Sequence, residues 1–191
     1  MKLLACPKCH QQLHLENKTL KCENNHCYDI SKRGYINLLL NPDKATNNPG
    51  DSKESLVARK AYLNKGYYDP ILNQVITCID EFKHQDDLSI LDLGCGEGYY
   101  TQGLKKHFEN SDIYGLDISK IAIDMATRYR KDVTWLVGNS KNIPILDHSL
   151  DFICALFTVV NQDELKRALK EDGYIVHVTA NNQHLIEIKE L

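Results

Sequence analysis

Hydrophobic positions fall into two alternating rhythms along most of the chain. Ile71, Leu72, Val75, Ile76, Ile79 and Phe82 recur every three or four residues, which predicts a helix with one apolar face. Asp69-Pro70 ahead of them reads as an N-cap followed by proline at the first helical position. The run 88–93 is short, unbroken and rich in Ile and Leu, as expected of a strand buried on both faces. Leu104 and Phe108 then share one face of a further helix. Apolar runs over 112–117, 133–138, 150–157 and 174–179 predict four more strands, with helices over 119–129 and 162–170 and an Asp172-Gly173 turn. Five strands alternating with helices predict an α/β fold: a parallel, Rossmann-like sheet whose ligand site lies beyond the C-terminal strand ends.

The remaining segments are quieter. Residues 41–51 form a turn-rich connector without periodicity. Asp51 or Ser52 can cap a helix running to about Asn64 and stopping at Gly66, with Glu54 closing a capping box onto Asp51. Tyr67 and Tyr68 follow, placed to form a wall over a ligand. Residues 184–190 read as a last helical stub.

Chemistry concentrates where the 88–93 strand ends. Gly94, Gly96 and Gly98 allow a sharp turn and let a ligand lie against backbone N–H groups at a helix start. No Gly-Lys-Ser/Thr follows, which argues against a triphosphate loop, and the even glycine spacing departs from the dinucleotide fingerprint. Asp92 and Glu97 flank the turn. Two carboxylates there would repel a pyrophosphate and welcome a cation. The string Asp-Leu-Gly-Cys-Gly-Glu-Gly resembles motif I of class I S-adenosylmethionine-dependent methyltransferases, whose cofactor carries a sulfonium and an ammonium. Asp117 ends the next strand, where a doubly wound fold puts a carboxylate for ribose hydroxyls; capping the following helix is its alternative role. Asn139 and Ser140 follow the third strand, at the edge where an adenine would lie.

Composition adds a second site. Of seven cysteines, four fall within the first 27 residues, and the Met1 end lacks the apolar core of a signal peptide. That clustering points to a metal site in a reducing compartment, with the cytoplasm as the default. Cys6-x-x-Cys9 forms a knuckle whose thiolates can share one metal, and Cys22 with His26 completes a tetrahedron. Cys27 could replace His26; His10 and His14 are weaker candidates. Zinc would supply much of the folding free energy of so small a segment. The net charge of −3 hides an asymmetry: residues 1–66 carry eleven Lys/Arg against six Asp/Glu, and the remainder twelve against twenty. A basic N-terminal head can meet phosphates, whereas the acidic remainder does not attract RNA by its field. No apolar run approaches membrane length.

Further motifs line up with one family. The Cys/His ribbon precedes Lys32-Arg33-Gly34-Tyr35-Ile36-Asn37, Pro49-Gly50-Asp51-Ser52, Ala58-Arg59 and Gly66-Tyr67-Tyr68. Beyond the glycine turn come Gly115-Leu116-Asp117-Ile118-Ser119-Lys120 and His184-Leu185-Ile186-Glu187. Across nearly its whole length the chain resembles the bacterial 23S ribosomal RNA guanine-N1 methyltransferases. The resemblance implies a zinc ribbon over 1–40 that recognises an rRNA hairpin, a linker and helix over 41–66, and a methyltransferase domain over 67–191. It implies zinc on Cys6, Cys9, Cys22 and His26, and S-adenosylmethionine on Tyr68, Gly96, Glu97 and His184. Asp92, Gly94, Gly98, Asp117, Ile118, Asn139 and Ser140 complete the expected cofactor set. Two departures stand out: Phe157-Thr158-Val159 replaces an aromatic-Ala-Pro element, and the family's last two strands would follow Leu191. Either the sequence is a truncated version, or the fifth strand is an edge open to pairing with another molecule, as in a homodimer. Asn161, Asp163 and Glu164 lie near the loop where guanine N1 must lose its proton, yet suit a solvated helix start equally, so no catalytic base is assigned. A small-molecule methyltransferase and a catalytically degenerate binding module are the competing expectations.

Overall fold

The computed structural model describes residues 1–40 and 51–181. Most of the connector, the helical stub and His184 lie outside the described residues.

The N-terminal head is a three-stranded antiparallel meander of β1 (His14–Glu16), β2 (Thr19–Lys21) and β3 (Cys27–Asp29). After it come β4 (Ile36–Asn37), α1 (Lys53–Leu63), α2 (Asp69–Phe82), β5 (Ser89–Leu93), α3 (Tyr99–His107) and β6 (Asp112–Asp117). The chain continues with α4 (Lys120–Ala126), β7 (Thr134–Val137), β8 (Leu150–Leu156), α5 (Gln162–Ala168) and β9 (Leu169–Val178). These build a six-stranded parallel sheet in the order β4-β7-β6-β5-β8-β9.

The sheet therefore has one strand more than the five expected. Ile36 and Asn37 pair with Leu136 and Val137, and the Leu38 N–H donates to the Val137 carbonyl at 2.8 Å. The head and the sheet share one apolar core in which Leu4, Leu13, Leu20, Ile36 and Leu38 pack with Leu91, Leu116, Leu136, Ile145 and Ile153. Val75, Ile79, Leu104, Phe108, Ile123, Trp135 and Phe152 belong to a second core, built around α2, α3 and α4. Each such burial is worth about 1.5–3 kcal/mol, so both layers are held chiefly by apolar contact.

Local details differ from the sequence expectation. Ser52, not Asp51, caps α1 by accepting the Ser55 N–H at 3.1 Å, so Glu54 is not in register for a capping box. Asp69 lies inside α2, whose N-cap is Tyr68; the Asp69 carboxylate instead accepts the Tyr99 hydroxyl. α4 ends at Ala126, three residues early, and the Trp135 indole donates to the Arg130 carbonyl at 2.8 Å on the way into β7. β9 starts directly at Leu169. Asp172-Gly173 is thus no turn but part of a strand whose register against β8 shifts between Leu150 and Phe152. Among the described residues, no helix is long and apolar enough to cross a membrane.

Candidate functional site

Two sites emerge, one in the head and one at the C-terminal ends of the sheet strands. In the head, the Cys6 carbonyl accepts N–H bonds from Cys9 at 3.3 Å and His10 at 2.8 Å, which curls the first knuckle. The Cys22 carbonyl accepts the Asn25 N–H at 2.9 Å and forms the second. His10 and Asn25 adopt the left-handed conformation that such tight reversals require. The ligand atoms of Cys6, Cys9, Cys22 and His26 then lie within 4.8 Å of one another. His26 Nδ1 is 3.4 Å from the Cys6 sulfur, 3.5 Å from that of Cys9 and 3.4 Å from that of Cys22, and the Cys9 and Cys22 sulfurs are 3.6 Å apart. Tetrahedral zinc with bonds of about 2.0–2.3 Å puts its ligands about 3.5–3.8 Å apart, so this donor set fits the ion. A backbone N–H from Gln11 helps hold the Cys9 thiol down to about 6. The Tyr28 hydroxyl lies 3.2 Å from the Cys6 sulfur and can support it from outside the tetrahedron. Cys27 is exposed and turned toward the Asn25 carbonyl, which leaves the fourth corner to His26.

In the sheet, the Leu116 carbonyl accepts N–H bonds from both Gly94 at 2.8 Å and Cys95 at 3.1 Å, pinning the turn to the end of β6. Gly98 sits at φ +85°, and a Cβ there would meet the Trp135 ring at 2.6 Å, so no side chain fits. Gly96 is the opposite case: nothing lies within 4 Å of where its Cβ would stand, which leaves the turn open to a ligand. Asp117 accepts the Gly96 N–H at 2.9 Å through one oxygen and the Ser119 N–H at 2.7 Å through the other. Both oxygens keep a further lone pair. The cap of α4 is Ser119, whose hydroxyl accepts the Ala122 N–H at 3.2 Å.

Three carboxylates crowd this turn. Asp92 is fully buried, accepts the Thr101 hydroxyl at 2.5 Å, and is pushed up to about 7 by burial, with Asp117 and Glu97 adding like charge. Burial also raises Glu97, against the pull of Arg59 and Lys60. It raises Asp117 as well, against the N–H bonds from Ser119 and Gly96. Such a cluster favours a bound cation.

The residues predicted for a cofactor separate into groups. Gly94, Asp117, Ile118, Asn139 and Ser140 come together around one cleft, whose lining also includes Thr158. Glu97 lines a different cavity with Lys60, Asn64, Tyr99, Gln102 and Tyr129. Asp92 lies under the turn, away from solvent. The Tyr68 ring is 6.1 Å from that of Phe157, at the end of β8. Sequence reasoning did not single out Lys60 or Tyr62, and it named Thr158 only within the Phe157-Thr158-Val159 departure, not as a lining of the cofactor cleft. Thr158 touches the space over Gly94. Tyr62 lies 5.1 Å from Tyr67 and 6.1 Å from Tyr68, so four rings run from the α1–α2 turn to Phe157. Tyr62, Tyr67 and Phe157 are exposed, and Phe157 holds φ +56°. Asn161 and Glu164 have structural partners: Asn161 caps α5, and Glu164 pairs with Arg167 while accepting the Ile143 N–H.

Comparison with known proteins finds a separate family match for the head and for part of the sheet region. Residues 4–45 match a family described as RlmA, N-terminal, and residues 90–173 match one described as a methyltransferase domain. The chain is 29% identical over 98% of its length to the 23S rRNA (guanine(748)-N(1))-methyltransferase of Streptomyces fradiae, covering 67% of that protein. It is 30% identical, again over 98% of its length, to YxjB of Bacillus subtilis (strain 168), provisionally named a 23S rRNA (guanine-N(1)-)-methyltransferase, and covers 68% of it. The chain thus spans about two thirds of the length of these relatives. A TehB-like SAM-dependent methyltransferase of Corynebacterium glutamicum shares the fold, with TM-score 0.52 and 24% identity over 72% of this chain and 80% of that one.

Proposed function

Because the chain belongs to the 23S rRNA guanine-N1 methyltransferase family, we propose that it methylates N1 of a guanine in a 23S rRNA hairpin. The observation that carries this reading is the union, in one shared core, of a metal-binding head and an acid-lined glycine turn left open at Gly96.

S-adenosylmethionine, the cofactor of this fold family, supplies an electrophilic methyl group on a sulfonium centre. The chain's own residues bind and orient. Asp117 accepts hydrogen bonds from the ribose hydroxyls through its remaining lone pairs, while Ile118, Asn139 and Ser140 border the adenine. The carboxylates of Asp92, Glu97 and Asp117 set a negative potential that favours the sulfonium. Tyr68 and His184 complete the cofactor set. Cys6, Cys9, Cys22 and His26 hold zinc and fix the basic head, which meets rRNA phosphates. Guanine N1 lies on the Watson–Crick edge and carries a proton, so a paired or stacked target base has to leave its stack, and N1 has to give up that proton to a base or to water, for an in-line approach to the methyl group. The exposed rings of Tyr62, Tyr67 and Phe157 offer faces on which such a base can stack.

The test is incubation with unmodified 23S rRNA and methyl-labelled cofactor, followed by mapping of the modified nucleotide. The expected result is label at one guanine with a reverse-transcription stop there. Label in small metabolites instead of RNA, or none at all, would sink the proposal. In the same assay Asp117→Ala is expected to weaken cofactor binding about 10–100-fold, the worth of hydrogen bonds to a charged acceptor.

A further inference from the structure

The head meets the methyltransferase domain along a seam with a defined register. Leu4 bridges Ile145 in antiparallel fashion. The Ala5 N–H donates to the Pro144 carbonyl at 3.0 Å, and the Leu146 N–H to the Leu3 carbonyl at 2.9 Å. Continued toward the first knuckle, that register sets Pro7 against Asn142 and Lys8 against Lys141. It is kept at the first of these pairs, where the Asn142 side chain donates to the Pro7 carbonyl at 2.9 Å. Lys8 lies inside the Cys6–Cys9 knuckle, whose backbone the metal ligands fix. Lys141 sits in a tight turn, closed by the Asn142 N–H on the Asn139 carbonyl at 3.0 Å and by the Lys141 N–H on the Asn139 side chain at 3.0 Å. Both lysines are exposed.

Like charges set against each other repel unless an anion joins them. Among the described residues no carboxylate pairs with either lysine. Glu164, which accepts the Ile143 N–H beside this turn, is already held by Arg167 at 2.9 Å; Asp163 precedes it, exposed at the start of α5. Other cations of the chain are matched: Arg33 and Arg128 share Asp124 at 2.7 and 3.2 Å, and Arg130 holds Asp132 at 2.7 Å. The place of the unmatched pair matters as much as its charge. Asn139 and Ser140, which lead into Lys141, line the Asp117 cleft with Thr158. We propose that Lys8 and Lys141 form a phosphate-binding pair that seats the RNA backbone on the seam, beside the nucleotide to be methylated. The inference rests on the RNA reading. It adds to the head a cation from the methyltransferase domain, and it turns the first knuckle, not the β1–β2 turn, toward the substrate. Such a contact positions the RNA and reads no sequence.

The test uses the full chain and filter binding of labelled, unmodified 23S rRNA over a range of salt, with poly-glutamate as a second probe. Lys8→Ala and Lys141→Ala are each expected to weaken RNA binding about tenfold at low salt. Each should also flatten the dependence of log affinity on log salt by about 0.7–0.9, the share of one phosphate contact. Lys8→Arg and Lys141→Arg should restore both. Lys18→Ala, at the tip of the β1–β2 turn, removes the same charge from the head and is expected to cost about twofold or less. Unchanged zinc content and thermal midpoint in the alanine variants report an intact fold. Equal losses from Lys18→Ala and the seam variants, or an unaltered salt dependence in the latter, overturn the inference. So does a wild type that binds no RNA, or one that prefers poly-glutamate through the same two lysines, which would assign the seam to an acidic protein. RNA held through both lysines yet never methylated upholds this inference and sinks the proposed reaction alone; methylation indifferent to both lysines does the reverse.

Discussion

The head and the sheet are held together by different kinds of bond. Strands β1, β2 and β3 have three residues each and bury little besides Leu20, so beyond the contacts that Leu4, Leu13 and Leu20 make with the sheet's core, the head's own shape relies on four side chains converging on one point. The sheet relies on area: Ile90, Leu91, Leu93, Ile113, Leu116 and Ile153 are each at most 2% exposed. A structure fixed at a point fails when one ligand goes, whereas one fixed over an area loses stability in increments.

That contrast can be broken by experiment. The largest effect is expected from Cys22→Ala, which removes a corner of the tetrahedron. Structural zinc carries about 10–16 kcal/mol of apparent binding free energy in zinc-finger peptides. Bound zinc should fall to background, and amide exchange should accelerate over 1–40 while β5 and β6 stay protected. Unchanged metal content would refute the assigned ligand set. Next comes Gly98→Ala, which forces a Cβ into the Trp135 ring at an unfavourable φ and should cost about 2–5 kcal/mol in urea unfolding. A loss below 1 kcal/mol would mean that the turn repacks freely.

The smallest effect sharpens the comparison within the sheet. The Asp92 carboxyl titrates at about 7 in the fold, above its unfolded value of about 3.9. The folded state therefore holds this proton more tightly, and the stability it contributes falls as pH rises from about 4 to about 7. Asp92→Asn cannot ionise. It should match the wild type near pH 4 and melt about 5 °C or more higher at pH 8. Parallel melting curves across that range would show that Asp92 is not buried as a strained acid.

Legibility in the sequence followed the range of the interactions. The β5 strand, its glycine turn and α3 are contiguous, so periodicity and glycine spacing were enough to read them. β4 escaped because a two-residue strand has no period, and its partners Leu136 and Val137 lie far along the chain. Asp69 before Pro70 looked like a cap, but local pattern could not register the Tyr99 hydroxyl that takes its carboxylate. Spacing alone left His26 and Cys27 as rivals; only the direction of the Cys27 side chain separated them. The gathering of Asp117, Asn139 and Ser140 follows from the rule that parallel strands end on the same side. Lys60 and Glu97 meet across two segments that no motif joins, so their common cavity was visible only in three dimensions.

The segment from Gly138 to Ile145 has neighbours on both sides. Gly138, Asn139 and Ser140 border the cleft, while Asn142 donates to the Pro7 carbonyl at 2.9 Å and the Pro144 carbonyl accepts the Ala5 N–H at 3.0 Å. Two hydrogen bonds thereby moor the metal-binding knuckle to the loop that forms the rim of the cleft, so the two sites share one stretch of chain as a common wall.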